Sequence, residues 1–90
     1  MNHDTPFVFR CNAGDCVCHR RCEVTVREGE IYVEVEDEGA VYVTVKAPAE
    51  LGGELDEGLL RISDGTSVEV TQPTGKRLRS WLGKRGVSVQ

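Results

Sequence analysis

Residues 23–46 read EVTVREGEIYVEVEDEGAVYVTVK, and the parity of this stretch decides the fold. Val24 and Val26 share one face. Ile31, Val33 and Val35 share one face of the next segment, with Tyr32, Glu34 and Glu36 on the other. Val41, Val43 and Val45 alternate in the third. Period-two patterning rich in β-branched residues marks half-buried antiparallel strands, so 23–27, 31–36 and 40–46 are predicted to form a three-stranded meander.

Turn lengths then set the registers. A two-residue turn at Glu28-Gly29 pairs Val26 with Ile31 and Val24 with Val33, and sets Arg27 opposite Glu30. For the second turn, a two-residue Glu38-Gly39 loop places Val35 opposite Tyr42 and turns one set of valines outward. A three-residue loop, Asp37-Glu38-Gly39, keeps them inward: Val35 pairs with Val41 and Val33 with Val43, and Gly39 takes the left-handed position. In that register Tyr32 opposes Thr44 and Tyr42 opposes Glu34 on the outer face, beside Glu36 and Lys46.

Outward from the meander, Ala47-Pro48 ends the third strand, because proline cannot donate to a ladder. Residues 49–58, with Gly52-Gly53 and four acids, read as a loop with at most one helical turn at its start. Segments 59–63 and 67–71 form a second hairpin. Parity selects a loop at Asp64-Gly65-Thr66, pairing Ile62 with Val68, Leu60 with Val70 and Arg61 with Glu69. After Pro73, Leu78, Trp81 and Leu82 stand at i, i+3 and i+4, a helical stripe within a short basic helix over 74–86. Thr74 is its expected cap, and Trp81 the main plug of the core. Residues 87–89 and 7–9 read as short strands, the latter leading directly into the cysteines of segment 1–22. The expected fold is one mainly-β domain over 1–90: a small antiparallel sheet or meander of about five to six short strands, an N-terminal four-cysteine metal knuckle and one short C-terminal helix.

All four cysteines fall within twelve residues, as Cys11-x4-Cys16-x-Cys18-x3-Cys22. Four soft thiolates this close can close around one tetrahedral metal ion, with zinc the leading candidate. Asn12-Ala13-Gly14-Asp15 has turn composition, and the Cys16–Cys18 step on extended backbone sends both thiols the same way, which suits a shared metal better than a mutual disulfide. His19 is a substitute ligand. Four protein thiolates leave no open position, so the zinc is structural rather than catalytic. Two disulfides are the main alternative, as Cys11–Cys18 with Cys16–Cys22 or Cys11–Cys16 with Cys18–Cys22; iron–sulfur, copper and redox thiols follow. The meander register places Cys22 opposite Val35 on the inward face, which ties the cluster to the core.

The chain carries fifteen acidic and eleven basic residues, unevenly spread. Every acid lies at or before Glu69, while Lys76, Arg77, Arg79, Lys84 and Arg85 make the end of the chain basic. This mixture argues against a dedicated nucleic-acid-binding domain, which is strongly basic. It leaves a local basic contact, formed by Arg10, Arg20 and Arg21 with the C-terminal basic residues, as a second functional class. The arginines near the cysteines equally serve to balance a negative tetrathiolate centre. An acidic sheet and a basic helix also suit a head-to-tail homo-oligomer.

The start, Met-Asn-His-Asp-Thr-Pro, has neither the basic nor the apolar region of a secretory signal, and no apolar run has the length of a membrane span, so a cytoplasmic protein with no membrane contact is expected. Reduced thiols, and hence metal ligands, are the rule there. Neither a GxSxG elbow, a P-loop nor an HExxH helix is present, and no carboxylate pair stands out. The expectation is therefore a non-enzymatic, zinc-stabilised β module that binds another protein. Its size fits a small accessory or structural component of a larger assembly, a bacteriophage-type protein among them. A nucleic-acid-binding zinc module and a thiol redox sensor or metal buffer are the alternatives.

Overall fold

A computed structural model describes residues 5–11, 20–62 and 67–89. In chain order the elements are β1 (Phe7–Arg10), β2 (Arg21–Arg27), β3 (Glu30–Asp37), β4 (Ala40–Lys46), α1 (Pro48–Asp56), β5 (Leu59–Arg61), β6 (Ser67–Glu69) and α2 (Gln72–Lys84). Strands β1 to β4 form one antiparallel sheet in sequence order, and β5 and β6 form a small second sheet. Among the described residues the protein is mainly β with two helices.

The β2–β3 hairpin has the register that parity predicts. Val26 opposes Ile31, Val24 opposes Val33, Cys22 opposes Val35 and Arg27 opposes Glu30. Glu28 (φ 52°) and Gly29 (φ 81°) are both left-handed, as a two-residue turn matched to strand twist requires.

The β3–β4 hairpin overturns the sequence reading. Glu38 (φ 49°) and Gly39 (φ 86°) close a second two-residue turn of the same kind, so Asp37 opposes Ala40, Val35 opposes Tyr42 and Val33 opposes Thr44. Tyr32 therefore faces Val45, not Thr44, and Glu34 faces Val43, not Tyr42. Tyr42, Thr44 and Lys46 point inward, while Val41, Val43 and Val45 are 56%, 50% and 48% exposed. Turn chemistry and an inward partner for Lys46 outweigh the burial of three valines. Lys46 Nζ lies 2.9 Å from Glu54 Oε2, both side chains being buried, and Glu54 Oε1 accepts from the Arg61 N–H at 2.6 Å.

That partner comes from α1, where a loop is expected from the glycine pair. Pro48 in the first turn, Glu50 beside the positive helix end, and buried Leu51 and Leu55 one turn apart favour the helix despite Gly52-Gly53. It stops at Gly58, whose φ of 76° is left-handed. Gly58 O accepts from the Val70 N–H at 2.8 Å, continuing the β5–β6 ladder. That bond accompanies a register two residues away from the expected one: Leu60 faces Val68 and Leu59 faces Glu69. A two-residue shift preserves parity, so Leu60, Ile62, Val68 and Val70 are all buried as the pattern requires. The expected loop at 64–66 lies outside the described residues.

Helix α2 begins earlier than the sequence suggests. Thr71, not Thr74, is the cap: its hydroxyl oxygen accepts from the Thr74 N–H at 3.4 Å, and Pro73 sits in the first turn. Leu78 and Leu82 are fully buried, whereas Trp81 is half-buried at the flank, between the Phe7 ring (centroids 5.9 Å apart) and the Arg85 guanidinium (3.8 Å from the ring centroid). Trp81 is thus an edge seal rather than the core plug. Residues 87–89 form no strand; the Val87 N–H donates to Leu82 O at 3.0 Å, closing the helix end and burying Val87. The core lies on the inward face of the large sheet, joining Phe9, Cys22, Val24, Ile31, Val33 and Val35 to Leu51, Leu60, Val68, Leu78 and Leu82.

Candidate functional site

The register of β1 on β2 carries the chain into the cysteine segment. Phe9 opposes Cys22 and Arg10 opposes Arg21, and the Cys11 N–H donates to Arg20 O at 2.9 Å, adding one more rung. Cys11 and Cys22 therefore occupy diagonal positions on the same inward face. Both are buried, Cys11 at 5% exposure and Cys22 at 0%. Burial pushes the Cys22 thiol up to about 12, with the Glu23 charge adding to it. A protonated thiol is a weaker nucleophile and a weaker metal ligand than a thiolate. Cys16, Cys18 and His19 lie outside the described residues, and among the described residues no three His, Cys, Asp or Glu side chains converge as a metal site.

The basic residues predicted as a contact do not gather in one place. Arg20 Nη1 donates to Ser67 O at 2.8 Å and Arg20 Nε lies 3.2 Å from Asp37 Oδ2, so this side chain ties the end of the sheet to β6. Arg21 lies on the opposite, open face, 2.7 Å from Glu23 Oε1, beside exposed Arg10. On α2, Arg79 donates to Gly52 O at 3.1 Å and contacts Asp56, pinning the two helices together. Arg85 stacks on Trp81 and donates to Trp81 O. Lys76, Arg77 and Lys84 stay exposed on α2.

A hollow of about 470 Å³ opens between the end of α1 and the start of α2, lined by Asp56, Glu57, Gln72, Lys76 and Arg79 among others. Its one carboxylate–guanidinium pair, Asp56 with Arg79, serves to join the helices, and no nucleophile–base pair stands in it.

The most distinctive surface is the open face of the large sheet, the side away from the core. Along it Glu23 opposes Glu34, which opposes Val43; Arg21 opposes Glu36, which opposes Val41; Thr25 opposes Tyr32, which opposes Val45. The result is an acidic centre bordered by an apolar rim on β4. A shallow cleft of about 160 Å³, lined by Arg21, Glu23, Glu34, Glu36 and Val41, crosses the boundary between the two. Three half-exposed valines in one row form an organised apolar feature rather than scattered surface hydrophobes. Sequence reasoning missed this rim because parity was used to bury it. The repeat of Glu-Gly at 28–29 and 38–39 was the available signal.

No helix among the described residues is long and apolar enough to cross a membrane. Comparison of the chain with protein-family models, with curated proteins and with solved structures gives no match in any of the three.

Proposed function

We propose that this chain is a non-enzymatic protein-binding β module whose open sheet face, bordered by Val41, Val43 and Val45, is the contact surface. The observation that carries the reading is the outward valine row on β4, set beside the carboxylates of Glu23, Glu34 and Glu36. An apolar rim supplies burial, and the acidic centre supplies orientation and discrimination between partners. Structural zinc held by Cys11, Cys16, Cys18 and Cys22 braces the far end of β1 and β2 in this reading; the inward, diagonal placement of Cys11 and Cys22 supports it. A role as a small accessory component of a larger assembly agrees with a molecule that offers an organised apolar and acidic surface. The nucleic-acid alternative is less favoured, since Arg20, Arg79 and Arg85 are engaged within the fold.

The test is affinity capture from lysate of the native host with the tagged chain and with its Val41→Lys and Val45→Lys variants. The proposal expects a partner retained by the parent and lost by both folded variants. An unchanged set of captured proteins overturns the surface assignment. Native mass spectrometry with elemental analysis tests the brace: one zinc per chain supports it, and two disulfides or no metal removes it.

A further inference from the structure

We propose that β4 is a self-pairing edge: two copies of this chain associate antiparallel about a two-fold axis at Val43, joining their sheets into one. This deepens the protein-binding reading by naming the partner of the β4 rim.

The argument begins with backbone hydrogen bonds. The two-residue turn at Glu38-Gly39 makes Asp37 and Ala40 a hydrogen-bonded pair. Bonded and non-bonded pairs alternate in an antiparallel ladder, so Tyr42, Thr44 and Lys46 bond to β3. Val41, Val43 and Val45 then direct their N–H and C=O groups away from β3, to the free edge of the sheet. The same three residues thus carry both the exposed apolar side chains and the backbone groups that pair with no other strand among the described residues.

This edge lacks the usual protections. Residues 40–45 contain no charge, no proline and no bulge, and Lys46, the side chain best placed to guard the strand, is turned inward to Glu54. The edge is also symmetric about Val43. Two-fold pairing sets Val43 against Val43 of the second copy and Val41 against Val45, so every residue that offers edge hydrogen bonds meets another that does, and valine meets valine.

Charge selects the occupant. An uncharged strand is what matches an uncharged edge, and β1, β2, β3, β5 and β6 each bring an arginine or a carboxylate to any such contact. Residues 40–45 are the longest uncharged run among the described strands. The pairing also keeps like charges apart. The Glu34 and Glu36 rows of the two copies lie three strand spacings apart, roughly 14 Å. That exceeds the Debye length of about 8 Å at physiological salt.

Sedimentation equilibrium of the full chain to millimolar concentration tests the inference, with Val43→Lys and, as a control, Val8→Lys on the opposite edge strand. The expected result is a dimer that Val43→Lys weakens by about 100-fold, since two lysines would meet at the axis. Val8→Lys leaves it unchanged, and circular dichroism confirms that both variants fold. A parent that is monomeric throughout overturns the inference. If a monomeric parent still captures a partner that Val41→Lys loses, the protein-binding reading stands while self-pairing falls. A dimer indifferent to Val43→Lys overturns the β4 edge. So does an oligomer dissolved by high salt, which points to acidic sheet against basic helix.

Discussion

Glu54→Ala is the most informative single substitution, because its cost depends on how β4 is registered. In the structure Glu54 is buried, 2.9 Å from the buried Lys46 ammonium and 2.6 Å from the Arg61 N–H. Removing it leaves a buried cation without its main partner and a backbone donor without its acceptor. Breaking a buried pair from one side costs about 3–5 kcal/mol. Glu50 stands 3.6 Å from Lys46 Nζ and is more than half exposed, so it takes over part of the loss and the expected cost is near 3 kcal/mol. At about 4–8 °C per kcal/mol for a chain of this size, the melting temperature falls by roughly 12–24 °C. Urea unfolding followed by circular dichroism at neutral pH measures it, with an unchanged m-value showing that the denatured state is not the cause. Glu50→Ala should cost less than about 1 kcal/mol, as exposed pairs do. The double replacement Lys46→Met with Glu54→Leu should recover the share of the loss that comes from the unpaired ammonium, since apolar residues can replace a buried pair, while the Arg61 N–H stays without its acceptor. If β4 instead carried its valines inward, Lys46 would face solvent and Glu54→Ala would lose only the hydrogen bond from the Arg61 N–H, a cost of about 1 kcal/mol. A loss that small would refute the register and everything built on the exposed rim.

Three further outcomes follow from particular residues. Gly39→Ala should destabilise by about 1–2 kcal/mol in urea titrations, from left-handed strain alone, because open space surrounds the position. In the metal-free fold, burial raises the Cys22 thiol from 9.0 to about 12. The folded state then holds the proton more tightly than the unfolded state, so this contribution is complete below pH 9 and declines as pH rises from 9 toward 12. Unfolding free energy measured across that range in the parent and in Cys22→Ala should diverge least at the alkaline end. Arg85→Ala removes the guanidinium 3.8 Å from the Trp81 centroid and should cost about 0.5–1 kcal/mol, with a change in tryptophan emission as its signature.

The elements of this fold were legible wherever local chemistry and burial agreed. Around Glu28-Gly29 the turn, the valine parity and the Arg27–Glu30 pair all favour one register, and the structure has it. Around Glu38-Gly39 they conflict, and parity misled. Edge-strand valines can remain exposed when a twist-matched turn and a distant carboxylate favour the other face. The carboxylate was hidden because α1 was hidden: Gly52-Gly53 argues for a loop, and the burial of Leu51 and Leu55 that offsets it is a tertiary effect. Parity correctly predicted Cys22 opposite Val35 and inward, so one of the four cysteines is placed by sequence alone. The basic stripe on α2 was visible as composition, but Arg79 and Arg85 turn to Gly52, Asp56 and Trp81, contacts that no spacing along the helix encodes.

The central claim is that Val41, Val43 and Val45 border the open face, and proton NMR of the folded chain tests it most directly. In an antiparallel sheet the non-hydrogen-bonded pairs bring their Cα atoms to about 4.5 Å, close enough for strong Hα–Hα cross-peaks. The account predicts those cross-peaks between Glu34 and Val43 and between Glu36 and Val41. Cross-peaks and ladder contacts that instead pair Val33 with Val43 and Val35 with Val41 would contradict it.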